Sequence, residues 1–182
     1  MKKRDESGKK EAGPRGWSAP AFLLAQVGAH AAAKFSERLR PLGLSPAHAG
    51  ILRILEAAPA ITQQALASAL GSPPSRLVAL VDELESKALV ERRPNESDRR
   101  RYALSLTAKG KSMLHTLGTV VREHQNSLLA ALSEEERLQL TALLLRIATH
   151  QGLKKGVHPG YSAAGRAEEI LDRNSPTGRD RP

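Results

Sequence analysis

The chain has no cysteine. That excludes a disulfide scaffold, Cys-ligated zinc, an iron–sulfur cluster and a thiol nucleophile. Aromatic residues are scarce: Trp17, Phe22, Phe35, Tyr102 and Tyr161. A sheet of rings that stacks RNA bases is therefore not available. No stretch approaches the roughly 18 apolar residues of a membrane span. Lys2, Lys3 and Arg4 have no apolar segment behind them, so no secretion signal is expected. The expectation is a soluble cytoplasmic protein. Phosphate-binding loops, Gly-x-Gly-x-x-Gly and Gly-x-Ser-x-Gly are all missing, which argues against an enzyme and against a cofactor. The six histidines, His30, His48, His115, His124, His150 and His158, show no metal-ligand spacing. No metal site is expected from them.

What the sequence does have is positive charge. Its 182 residues carry 28 Lys+Arg against 19 Asp+Glu, a net +9. A polyanionic partner follows, though composition does not distinguish nucleic acid from membrane. The charge is unevenly textured. Residues 1–16 contribute +3 and residues 151–182 contribute +2, in segments with little apolar content. Such segments cannot offset the entropy of ordering and are expected to be disordered tails. Residues 17–150 form the expected folded body.

Within that body the hydrophobic period is helical at first. Leu24, Val27, Ala31, Phe35 and Leu39 recur at three- and four-residue steps, predicting a helix over 22–39. Ser45-Pro46 reads as a cap with proline at the first helical position, opening a second helix before Pro59. A third helix runs from Thr62 to Leu70 and ends at Gly71. Ser72-Pro73 repeats the cap-plus-proline signature and opens a fourth, to Ser86. Two short helices joined at a glycine make a helix-turn-helix over 62–86.

The period then changes. Leu89–Arg93 and Tyr102–Leu106 read as two short strands around the polar, loop-like segment Pro94–Arg100, a wing over 89–106. Thr107 caps a long helix. Ser133-Glu134-Glu135-Glu136 is a capping box that starts the last one, to His150. The fold class expected is mainly α with a small β-wing. The apolar surface of the terminal helices, 22–39 and 107–150, exceeds what a winged helix needs, so they are expected to pack between two chains.

These pieces resemble the MarR family of transcriptional regulators. Gln64-Ala65-Leu66-Ala67 and Ser72–Glu85 are similar to the family's paired helices. Asp98-Arg99-Arg100, followed by Leu104-Ser105-Leu106-Thr107-Ala108-Lys109-Gly110, is similar to its wing and the start of its dimer helix. The likeness covers about residues 22–148. It departs at Ala88, which stands where the family has glycine, so the helix exit there is expected to be strained or differently shaped. The resemblance implies a homodimer that binds a pseudopalindromic operator in double-stranded DNA, often as a repressor, and often releases it for a small aromatic or anionic effector. It also implies that His48 lies near the effector cleft. A departure in the same region is Ser45-Pro46-Ala47-His48, where the family often has Thr-x-x-Gln, so no ligand class carries over.

Candidate DNA contacts follow from the helical face. With Leu77, Leu80, Val81 and Leu84 inward, Pro74, Ser75, Arg76 and Ala79 face outward, with Ser72 at the helix start. An Arg bidentate to guanine is the commonest specific contact, and Arg76 is suited to it; phosphate or solvent contact is the alternative. The wing holds Arg92, Arg93, Arg99, Arg100 and Arg101, and arginines on a hairpin can enter a narrow minor groove. The resemblance points to Arg99 or Arg100 as the inserted residue. Asp98 is expected to pair with an arginine of its own loop and shape the wing. His30 and His48 are either satisfied structural histidines or partners for an effector. Two other functions stay open at this level: a constitutive architectural DNA binder without an effector, and a protein–protein module.

Overall fold

A computed structural model describes residues 16–94 and 102–153. Residues 1–15 and 154–182 of the expected tails, and the wing residues Asp98, Arg99, Arg100 and Arg101, lie outside the described residues. Two compact units are divided between Lys34 and Phe35. In the first, a short turn at Gly16–Ser18 leads into helix α1 (Pro20–Leu39), which continues into the second. The first unit leaves Trp17, Phe22, Leu23, Leu24 and Val27 exposed.

The second unit holds α2 (Pro46–Ala57), β1 (Ile61–Thr62), α3 (Gln63–Leu70), α4 (Pro74–Ser86), β2 (Val90–Pro94), β3 (Tyr102–Leu106), α5 (Ala108–Leu128) and α6 (Glu134–His150). The sheet has the order β1-β3-β2, antiparallel throughout. Its third strand, β1, goes beyond the sequence reading. It is two residues long and exists through pairing of Ile61 with Leu104 and Thr62 with Ala103. Such a segment has no period to detect.

The core lies where α2, α3, α4 and the sheet meet. Ile51, Leu52, Leu66, Leu77, Val81, Leu84 and Leu104 are completely buried there. Each such side chain contributes about 1.5–3 kcal/mol by leaving water. Helix α6 is the opposite case, with no buried residue along its length. Its Leu138, Leu143, Leu145 and Ile147 are exposed, so the burial expected for it is not supplied within one chain.

Helix boundaries follow local chemistry. Ser45 accepts from the His48 backbone N–H, and the His48 ring accepts from the Ser45 N–H, closing a capping box on α2. Ser133 and Glu136 do the same on α6, at 2.8 and 3.3 Å, and the Ser133 N–H holds the Glu136 carboxyl below its ordinary pKa.

The start of α4 corrects the expected cap. Ser72 belongs to the exit of α3 rather than to the entry of α4. Gly71, at φ +62°, turns the chain, and the Ser72 N–H donates to the Ala67 carbonyl at 3.1 Å. That six-to-one bond is a Schellman closure. It draws Ser72 inward to 7 % exposure, and Pro73 takes the cap position. Ser72 is therefore not on the outward face.

The exit of α4 closes in the same way without a glycine. Ala88 adopts φ +56°, its N–H donating to Glu85 and the Leu89 N–H to Leu84. Burial of Leu84 and Leu89 against each other's neighbours drives this geometry, against a cost of roughly 1–2 kcal/mol for a side chain in the left-handed region. Immediately beyond, the first turn of α5 lies on the same backbone. A Cβ on Gly110 would stand 2.1 Å from the Leu89 carbonyl oxygen, so the close approach requires glycine.

Candidate nucleic-acid interface

Helix α4 presents two contrasting halves. Its N-terminal half exposes Pro74, Ser75 and Ala79, with Arg76 half-buried. The sequence reading missed Val78, which is 39 % exposed on the same face. Its spacing of three from Ser75 and four from Pro74 was the available signal. The face thus offers one guanidinium, one hydroxyl and several small apolar groups.

The C-terminal half carries Asp82, Glu83 and Glu85. Carboxylates on a helix facing phosphates would repel them, so their partners matter. Arg92 of β2 reaches across and pairs with both Asp82 and Glu85. His48 of α2 brings its Nε2 within 3.2 Å of Glu83 Oε2, without the alignment of a hydrogen bond. Every acid on α4 therefore has a cationic or polar neighbour from another element.

Strand alternation explains the division on β2. Glu91 and Arg93 share one face and pair at 2.7 Å, while Arg92 points the other way, toward α4. The base-rich wing read from the sequence is smaller in consequence. Two of its five arginines, Arg92 and Arg93, are engaged within the protein.

His48 holds local structure, one of the two roles expected for it. It is 4 % exposed, and its ring belongs to the α2 cap and the Glu83 contact. Since Nδ1 accepts from the Ser45 N–H, the neutral ring carries its proton on Nε2, toward Glu83. Burial pushes its pKa below the ordinary value, with Lys87 acting in the same direction and Glu83 opposing. His30 is exposed on α1.

A cavity of about 410 Å³ does lie beside α2, against α5. Pro46, Ala49, Gly50, Arg53 and Glu56 form one wall, and Leu114, Leu117, Gly118 and Val121 the other, with Phe35 between. Those α2 positions recur at three and four residues. His48, one short of Ala49, falls on the opposite face, which is why it does not line the cavity.

Residues 42–101 match the MarR family. The repressor CouR, solved bound to a 23-mer DNA duplex, is 30 % identical, with a TM-score of 0.65, covering 71 % of this chain and 92 % of that one. The chain belongs to the MarR family. A mutant Escherichia coli MarR complexed with operator DNA is similar at 27 % identity and a TM-score of 0.61, over 70 % of this chain and 91 % of that one. A Thauera aromatica protein named as a candidate transcriptional regulatory protein for the hcr operon is 35 % identical over 105 residues, 58 % of this chain. The match spans 63 % of that relative's length.

Within this MarR family fold α3 and α4 are the helix-turn-helix, and β2 and β3 the stem of the wing. The family consists of transcription regulators, not enzymes. Among the described residues no group of three metal-ligating side chains converges, and no helix is long and apolar enough to cross a membrane.

Proposed function

We propose that the chain is a homodimeric, sequence-specific DNA-binding repressor, working in the cytoplasm, that leaves its operator when a small aromatic or anionic effector binds. The observation that carries this reading is α4. Its outward N-terminal half is free of acids, and its acidic half is engaged by Arg92 and His48. On this reading Pro74, Ser75, Arg76, Val78 and Ala79 face the major groove. Arg99, Arg100 and Arg101 supply the wing's contact with the minor groove and flanking phosphates, and Asp98 shapes their loop. The DNA-bound CouR and MarR relatives support that docking mode.

The exposed apolar residues of α6 and of the first unit support the dimer, since such patches are rarely left to water. The cavity between α2 and α5 supports an effector, with its apolar walls and Arg53 at one side. Selection from a random duplex library, with sequencing of the retained pool, tests the reading. Recovery of a two-fold-related motif, with half-sites about 34–36 Å apart, bears it out. Retention without a motif would indicate an architectural binder, and no retention a protein-binding module.

A further inference from the structure

Two carboxylates on a helix that reads DNA look like a liability. Asp82 and Glu85 stand one turn apart on α4, 55 % and 40 % exposed, on the helix proposed to face DNA, where carboxylates would repel phosphates. Removing them should, on charge alone, tighten binding. Their partner argues otherwise. Arg92 is the central residue of β2, its side chain is only 21 % exposed, and it spans both acids with separate guanidinium nitrogens. A guanidinium fork held at two points fixes direction as well as distance.

The covalent link between α4 and β2 is a short, strained one. It passes through Ala88, which sits in the left-handed region where an alanine is least content. Leu89 and Val90, at the base of the hairpin, are buried in the same core cluster as Leu77, Val81 and Leu84 of α4. Arg92 is two residues further toward the tip than Val90. It ties the strand to the helix at a point nearer the hairpin tip.

We propose that Asp82 and Glu85 are positioning residues for DNA binding: through Arg92 they hold the wing at a fixed angle to α4, so that wing tip and helix meet adjacent grooves together. They touch no DNA. Their value lies in the entropy removed from the wing before binding, which association would otherwise have to supply. The inference rests on the DNA-binding reading but has a readout that does not.

The test uses the full-length protein and the double variant Asp82→Asn/Glu85→Gln, with Arg92→Met as the reciprocal change. Hydrogen exchange of the free protein reads the anchor directly. Faster exchange of the β2 and β3 amides in both variants, with α2 and α3 unchanged, is expected. Unchanged exchange at β2 and β3 overturns the proposal, whatever the DNA result. Binding to the duplex selected by the wild-type protein reads the consequence. The double variant should bind about three- to tenfold more weakly despite losing two negative charges, the scale of a partly exposed ion-pair network. Tighter binding overturns the proposal, because it would mean that the acids only repel DNA. Failure of the wild-type protein to select any duplex would count against the DNA-binding reading and leave the exchange result to decide the anchor. Circular dichroism melts confirm that each variant is folded at the assay temperature, and Arg92→Lys, which cannot span both acids, should behave like Arg92→Met.

Discussion

The hydroxyl of Thr107 donates to the carbonyl of Ala88 at 2.7 Å, and so clamps the left-handed alanine exit of α4 to the start of α5. The same hydroxyl accepts from the Gly110 N–H at 3.0 Å. Three elements, α4, the wing and α5, are thereby joined at a residue with φ +56°. The strain at Ala88 is offset by this clamp and by the burial of Leu89.

Ala88→Gly should stabilise the protein. The left-handed conformation costs alanine roughly 1–2 kcal/mol, and glycine returns part of that as unfolded-state entropy, leaving a gain of about 0.5–1 kcal/mol. Chemical denaturation with an unchanged m-value would show it. The companion change Gly110→Ala should cost about 3 kcal/mol by overpacking against the Leu89 carbonyl.

His48 predicts a pH dependence. Its folded pKa lies below the ordinary 6.5, burial being the largest cause. Below pH 6.5 the unfolded chain takes up a proton that the native ring refuses. Stability is therefore fully present above that pH and is lost as pH falls toward the folded value. His48→Gln keeps a capping-box side chain at the same helix position and cannot titrate. The difference in unfolding free energy between wild type and variant should change across that window. A difference independent of pH would refute the assignment. His124, also lowered by burial and by Arg38, is common to both proteins and cancels.

Two arginines should fail in different ways when replaced by alanine. Arg76→Ala should relax preference at one base position, by about 1–3 kcal/mol of discrimination. Arg100→Ala should weaken binding evenly across sequences and lower the salt slope by about 0.9 for each lost phosphate contact. Titrations against a panel of operator variants at several salt concentrations separate the two. An unchanged ranking in Arg76→Ala removes it from base reading.

The dimer is checked on α6. Leu143→Glu with Leu145→Glu places charge on side chains that are already exposed in one chain. A monomeric fold would be indifferent to the change. A dimer should dissociate, seen as a halved mass in light scattering and a loss of operator affinity.

How much of this was legible beforehand depends on the range of the physics. Ser45, Thr107 and Ser133 cap their helices as expected, because a cap needs only the next three residues. The helix period of α4 placed Leu77, Val81 and Leu84 inside. Hairpin strands β2 and β3 lie within a residue of their expected bounds. Ala88 was recognised as a strained exit from the missing glycine alone. These are local rules, and the 182-residue sequence determined them together with the family pattern.

Tertiary structure decided the rest. Strand β1 needs Leu104 and Ala103 to exist. Ser72 turned inward because α3 closes over it, a choice between two adjacent helices that neither makes alone. His48 faces Glu83 and not the cavity, since the side of α2 on which α4 lands is a packing outcome. Arg92, counted with the wing's free charge, is committed to Asp82 and Glu85, residues ten and seven positions away. Composition places a charge in the chain. Only the fold brings the opposite charge within reach of it, and that decides which arginines remain for DNA.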